Sequence, residues 1–137
     1  MKLNLYLTFD GTAAEAMTFY QSVLGGDLTI LRFGEMPDNS MVPEGAGDRV
    51  ANAQLTLENL TLMASDTMGD NNMGHVFQGH HGFDLQVALD DVDKGRAIFD
   101  ALSEGGEVLM PYAPTFWAKS FGTFRDRFGV PWMVNVD

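Results

Sequence analysis

The stretch Leu3–Leu28, LNLYLTFDGTAAEAMTFYQSVLGGDL, occurs twice. Displaced by 80 positions it falls on Phe83–Val108, FDLQVALDDVDKGRAIFDALSEGGEV. Phe9-Asp10 maps onto Leu89-Asp90, Phe19 onto Phe99, Gly25-Gly26 onto Gly105-Gly106 and Asp27 onto Glu107. Each copy reads as strand, short turn, amphipathic helix, Gly-Gly stop and strand. A unit of this size cannot bury both faces of its own sheet, so two copies are expected to pair.

In the first copy, Leu3, Leu5, Leu7 and Phe9 alternate with Asn4, Tyr6 and Thr8, the period of a strand. Thr12 and Glu15 have the spacing of a capping box. The helix Ala13–Leu24 places Ala16, Phe19, Tyr20 and Val23 on one face. Gly25-Gly26 ends it, and a strand is expected over Asp27–Phe33. Gly34–Asp48 holds four acids, two prolines and three glycines. It reads as a loop of about fifteen residues, long enough for a lid or binding segment and equally consistent with a solvated insertion. Arg49–Leu57 and Leu60–Ser65 form a hairpin around Glu58-Asn59. Asp66–Gly82 is polar and Gly-rich, a linker between halves.

In the second copy, Phe83–Leu89 is a strand and Asp91–Ser103 a helix, with Val92, Ile98, Phe99 and Leu102 as core contacts. Asp90 or Asp91 caps it. Glu107–Met110 is a strand, and Pro111–Ala118 an aromatic-rich loop with Tyr112, Phe116 and Trp117. Lys119–Asp126 and Pro131–Val136 form a closing hairpin. This hairpin echoes the first at a shift of 70: Asn59 maps onto Gly129, Leu62 onto Trp132 and Met63 onto Met133. Each half is therefore β-α-β-β-β. The expected fold is α+β: two βαβββ modules, 1–66 and 82–137, joined by a linker 67–81 in one domain, their mixed sheets curved around one cavity with helices outside.

The net charge is −11, which disfavours nucleic acid and anionic membrane as partners. The chain has no cysteine, so disulfides, thiol nucleophiles and thiolate metal sites are excluded. MKLNLYLTFDG lacks the apolar segment of a signal peptide, and no apolar run approaches the roughly 18 residues of a membrane helix. A cytoplasmic protein is expected.

Four segments together carry a resemblance: YLTFDGTAAEAMTFYQSVLGG at Tyr6–Gly26, FGEMP at Phe33–Pro37, LTLMASD at Leu60–Asp66 and TFWAKSFGTFRDRFGVPWMVN at Thr115–Asn135. The chain resembles the vicinal oxygen chelate superfamily (glyoxalase I, bleomycin-resistance proteins, extradiol dioxygenases), and within it the PhnB-like branch. The resemblance spans essentially the whole chain and implies paired βαβββ modules and a homodimer. Members of the branch often carry a ubiquinone methyltransferase label, yet no strand here is followed by a Gly-rich nucleotide loop.

Metal-dependent members place one His, Glu or Gln on each of four strands. Carried over one at a time, those positions fall on Leu5, Gln54, Asp84 (with Gln86 on the same strand face) and Met133. Two are apolar, and a tightly bound transition metal needs three or four convergent donors. No metal and no other cofactor is expected. His75, His80 and His81 lie in the linker and are read as exposed; one of them acts as a base only if the linker folds over the cavity. The remaining candidates line the expected cavity: Met63, Trp117, Phe121, Phe124, Trp132 and Met133 as apolar groups, with Gln54, Ser65, Asp84, Gln86 and Asn135 as polar ones. Arg125 and Arg127 fall opposite Phe124 by alternation. The leading expectation is a metal-free small-molecule-binding protein. A metal-free enzyme using Asp84 or a linker histidine comes next, and a metal-dependent lyase, isomerase or dioxygenase last.

Overall fold

The computed structural model describes residues 1–68 and 77–137. They fall into two units, Met1–Gln78 and Gly79–Asp137.

The first unit runs β1 (Leu5–Phe9), α1 (Ala13–Leu24), β2 (Asp27–Arg32), a single 3-10 turn (Phe33–Glu35), β3 (Val50–Thr56) and β4 (Thr61–Asp66). Its sheet has the order β1-β4-β3-β2, with β1 parallel to β4 and the other pairs antiparallel. α1 packs on this sheet, burying Ala13, Ala16, Met17 and Tyr20. The sheet answers with Leu7, Phe9, Ala53, Leu55, Leu62 and Ala64. Met17 thus holds a core place that the sequence reading gave to Phe19, which is only partly covered.

The start of α1 differs from expectation. Thr12 makes no side-chain cap. Its place is taken by Asp66 at the end of β4, whose Oδ1 accepts from the backbone N–H of Gly11 (2.8 Å) and Ala13 (3.0 Å). Asp66 Oδ2 accepts from Val50 N–H at 2.9 Å. A buried carboxylate borrowed from a distant strand satisfies helix donors that a local hydroxyl was expected to take. The 34–48 loop is closed at its base by Gly34 N–H to Gly47 O and Phe33 N–H to Arg49 O, both 2.9 Å.

The second unit repeats the plan: β5 (Leu85–Leu89), α2 (Val92–Ser103), β6 (Glu107–Ala113), β7 (Ser120–Arg125) and β8 (Pro131–Val136), in the order β5-β8-β7-β6 with β5 parallel to β8. Asp91 caps α2, accepting from Lys94 N–H at 3.0 Å. Gly95, Phe99 and Leu102 are its buried positions, while Val92 is exposed. β6 runs three residues beyond the expected Met110, through Pro111 to Ala113, with two register breaks against β7. Proline is tolerated there because β6 is an edge strand. Each unit is thus one βαβββ module with a helix on its sheet, the α+β plan expected from the repeat. No described helix is long and apolar enough to cross a membrane.

Candidate functional site

Each helix covers one face of its own sheet. The opposite face is set by strand register, because residues paired across strands share a face. In the first module one row crosses all four strands: Tyr6, Met63, Gln54 and Thr29. Thr8 and Ser65 pair in the next row. In the second module the matching row is Gln86, Met133, Thr123 and Met110. Beside it lies Ala88, Asn135, Phe121 and Ala113. A methionine occupies the same central place in both, on β4 and β8. Gln86 Nε2 lies 3.6 Å from Met133 Sδ, and Gln54 Nε2 donates to Thr56 Oγ1 at 3.4 Å.

Gln54, Met63 and Ser65 therefore share the helix-averted face of module one, and Gln86, Phe121, Met133 and Asn135 that of module two. Phe124 and Trp132 do not join them. They are 0% and 3% exposed and face α2, Phe124 meeting Phe99 edge-on at 5.1 Å. Phe121 and Phe124 are three residues apart on one strand, so the pleat must send them to opposite faces. Trp132 Nε1–H donates to Asp126 Oδ2 at 2.8 Å, completing its burial. Asp84 lies exposed just ahead of β5. Trp117 sits in the β6–β7 loop, its ring 5.3 Å from that of Phe121.

The inherited metal positions fare unevenly. Leu5 pairs with the buried Leu62 and shares the covered face with Leu7 and Phe9. Tyr6 stands on the open face instead, a position the sequence reading passed over although alternation with Leu7 and Phe9 marks it. The open-face donors are then Tyr6, Gln54, Gln86 and Met133. None is a carboxylate or imidazole, so neither the pair in the first unit nor the pair in the second suits a divalent ion. Among the described residues no group of three or more His, Cys, Asp or Glu could hold a metal.

His75 lies outside the described residues. His81 is exposed, but His80 is buried at 7%, contrary to expectation. Its ring meets Phe83 edge-on at 6.2 Å, and its carbonyl accepts from Arg125 Nη1 at 2.6 Å. Arg125 also donates to Gly129 O at 2.7 Å, so its guanidinium braces the β7–β8 turn. Arg127 lies over the Phe128 ring.

A second polar cluster closes the β1–α1 turn. Arg49 Nη1 donates to Asp10 Oδ1 (2.8 Å) and Thr67 O (3.0 Å), and Thr67 Oγ1 donates to Asp10 Oδ1 at 2.6 Å. These bonds, Thr67 first and Arg49 second, hold the Asp10 carboxyl below its ordinary pKa. Sequence reasoning gave Asp66 and Thr67 no role, because their partners lie 16 to 57 residues away, at the start of β3 and around the β1–α1 turn.

A sequence model of the family described as 3-demethylubiquinone-9 3-methyltransferase matches residues 1–135. Protein YjdN of Escherichia coli (strain K12) is 34% identical over 140 residues, spanning 99% of this chain and 95% of that protein. The crystal structure of PA1353 from Pseudomonas aeruginosa superposes with a TM-score of 0.88 at 40% identity, covering 100% of this chain and 98% of that one. A Bacillus cereus structure described as PhnB protein, 3-demethylubiquinone-9 3-methyltransferase, gives 0.79 at 28% identity and covers both chains fully (100%). A glyoxylase/bleomycin resistance protein/dioxygenase domain from Frankia sp. EAN1pec gives 0.63 at 14% identity over 99% of this chain and 90% of that one, a likeness of fold alone.

Proposed function

The chain belongs to the 3-demethylubiquinone-9 3-methyltransferase family, the PhnB-like branch of the glyoxalase/bleomycin resistance/dioxygenase superfamily, and from that premise we propose that it binds a small organic molecule on its helix-averted sheet faces without using a metal. The observation that carries this reading is the pair of matched rows, Tyr6-Met63-Gln54-Thr29 and Gln86-Met133-Thr123-Met110. Each sets a polarizable thioether between groups able to donate or accept one or two hydrogen bonds. Small-molecule sites combine apolar, polarizable surface with placed polar groups in this way.

Methyl transfer does not follow from the family's description. A nucleotide-binding turn would be Gly-rich and lead into an open helix N-terminus. Here the β1–α1 turn carries Asp10, and the first N–H groups around α1 are taken by the Asp66 carboxylate. The β5–α2 turn is Asp90-Asp91, with Asp91 in the cap. The homodimeric state and cytoplasmic location belong to the same proposal.

The test is thermal denaturation of protein purified without added metal, against a collection of neutral and charged small organic compounds. A ligand at one hundred times its Kd stabilises by about 2.7 kcal/mol, a shift of several degrees. Binding should perturb the methyl resonances of Met63 or Met133, and Met133→Lys should weaken it about tenfold or more. A purified chain carrying one tightly held metal ion, or failure of every compound to stabilise it, would overturn the proposal.

A further inference from the structure

Resting on the small-molecule reading above, we infer that the second module holds a subsite for a planar aromatic ligand bearing an N–H or O–H donor and no negative charge. Its floor is the row Ala88-Asn135-Phe121-Ala113 and its wall is Trp117.

The shape argument starts from the small residues. Alanines stand at both ends of the row, so Asn135 and Phe121 are flanked along the sheet by the smallest side chains, which leave both within reach of a ligand. Trp117 leans on Phe121 at 69° with ring centroids 5.3 Å apart, and Phe116 meets Trp117 at 83° and 4.8 Å. Rings that meet edge-to-face make corners, and each leaves a face free to stack. Trp117 is 50% exposed and Phe116 96%. Module two has no need of these rings for its core, which Phe99, Tyr112, Phe124 and Trp132 already fill.

The loop that carries the wall is held. Thr115 N–H donates to Ala118 O, and Ala118 N–H to Thr115 Oγ1, both at 3.1 Å. Lys119 N–H then ties the chain to Val136 O at 2.8 Å. A ring displayed on a tethered turn loses little freedom when a ligand stacks on it, which favours binding.

The polarity argument rests on Asn135. Its Nδ2 donates to Asp137 Oδ1 at 2.9 Å. A carboxylate only accepts, so the NH2 end must face Asp137 and the carbonyl oxygen must face away from it. Asn135 thus offers the row an acceptor, which a ligand donor matches. The same Asp137 carboxylate, in a chain of net charge −11, disfavours an anion. Arg125 shares this sheet face, but its guanidinium is engaged by the carbonyls of His80 and Gly129. Module one pairs Thr8 with Ser65 in the corresponding row, where module two pairs Ala88 with Asn135.

Three probes on the full ¹⁵N-labelled chain test this: indole, 1-methylindole and indole-3-acetate. Indole should shift the Trp117 Nε1–H and Asn135 side-chain amide signals and leave the buried Trp132 Nε1–H in place. Removing the donor in 1-methylindole should weaken binding about two- to tenfold, and indole-3-acetate should bind more weakly than indole. Trp117→Ala should weaken indole and 1-methylindole alike, while Asn135→Leu should erase the difference between them. Equal affinity of the two in the unaltered chain, a measurement that needs no variant, would overturn the inference. So would aliphatic compounds moving Met63 or Met133 while no indole moves Trp117, an outcome that leaves the broader reading standing. Failure of every compound of either kind removes both.

Discussion

At the scale of the residue, two buried carboxylates organise the modules. Asp66 takes the N–H groups of Gly11, Ala13 and Val50. Asp126 takes those of Phe128 and Val130 and the indole of Trp132. Removing such an acceptor leaves buried donors without a partner, the expensive way to lose a hydrogen bond. Asp66→Ala should lower the free energy of urea unfolding by about 2–4 kcal/mol, and Asp66→Asn by less, since the amide keeps one acceptor oxygen. Asp10 gives a pH prediction. Its folded pKa lies below the ordinary 3.8, so between the two values the unfolded chain binds more protons. The stability it contributes is complete above about pH 5 and is lost as pH falls through the folded value. In Asp10→Asn, unfolding free energy followed from pH 5 to pH 2.5 should fall less steeply than in the parent. Its side chain is half exposed, so solvent screening keeps the effect small.

At the scale of the element, the repeated Gly-Gly does more than stop a helix. The first glycine of each pair has positive φ, 79° at Gly25 and 77° at Gly105, as a helix C-terminus favours. The second is required by a close approach, and at Gly26 by a positive φ of 92° as well. A Cβ on Gly26 would meet Thr56 O and the Leu57 side chain, and one on Gly106 would meet the backbone of Arg125 and Asp126. Both glycines precede or begin the strand that pairs with β3 or β7, so each lets a chain turn back against its neighbour's backbone. Gly105→Ala should cost about 1 kcal/mol of strain. Gly106→Ala should cost more, about 2–4 kcal/mol, because backbone cannot step aside as a side chain can. Chemical denaturation of the two variants side by side checks the order, and equal losses would contradict it. The repeat showed that both glycines matter. Only the paired strands show that they matter for different reasons.

At the scale of the whole molecule, the proposed homodimer predicts that light scattering at micromolar concentration gives twice the 15.0 kDa chain mass. A monomer there would refute it. How much could be read beforehand follows from the range of each interaction. The βαβββ order, the helix positions, the hairpin turns and the Asp91 cap are written in spacings of two to four residues, and these are present in the chain before it folds. Strand parity is local as well: Leu5, Leu7 and Phe9 alternate against Tyr6 and Thr8, which places Leu5 on the covered face. Counting positions by family resemblance obscured that. In Pro131–Val136 the run is mostly apolar, so alternation does not announce which residues turn to the helix, and Trp132 was read onto the wrong face. Register is another matter. That Met63 stands between Tyr6 and Gln54, and Met133 between Gln86 and Thr123, depends on backbone hydrogen bonds between strands distant in sequence. Asp66 reaching the start of α1 across 53 residues has the same origin. The sequence alone determined two copies of one unit and the periodicity of their covered faces, because both arise from the geometry of neighbouring residues. The tertiary structure alone decided which side chains form a row and which carboxylate caps which helix, because those contacts exist only once distant strands have paired.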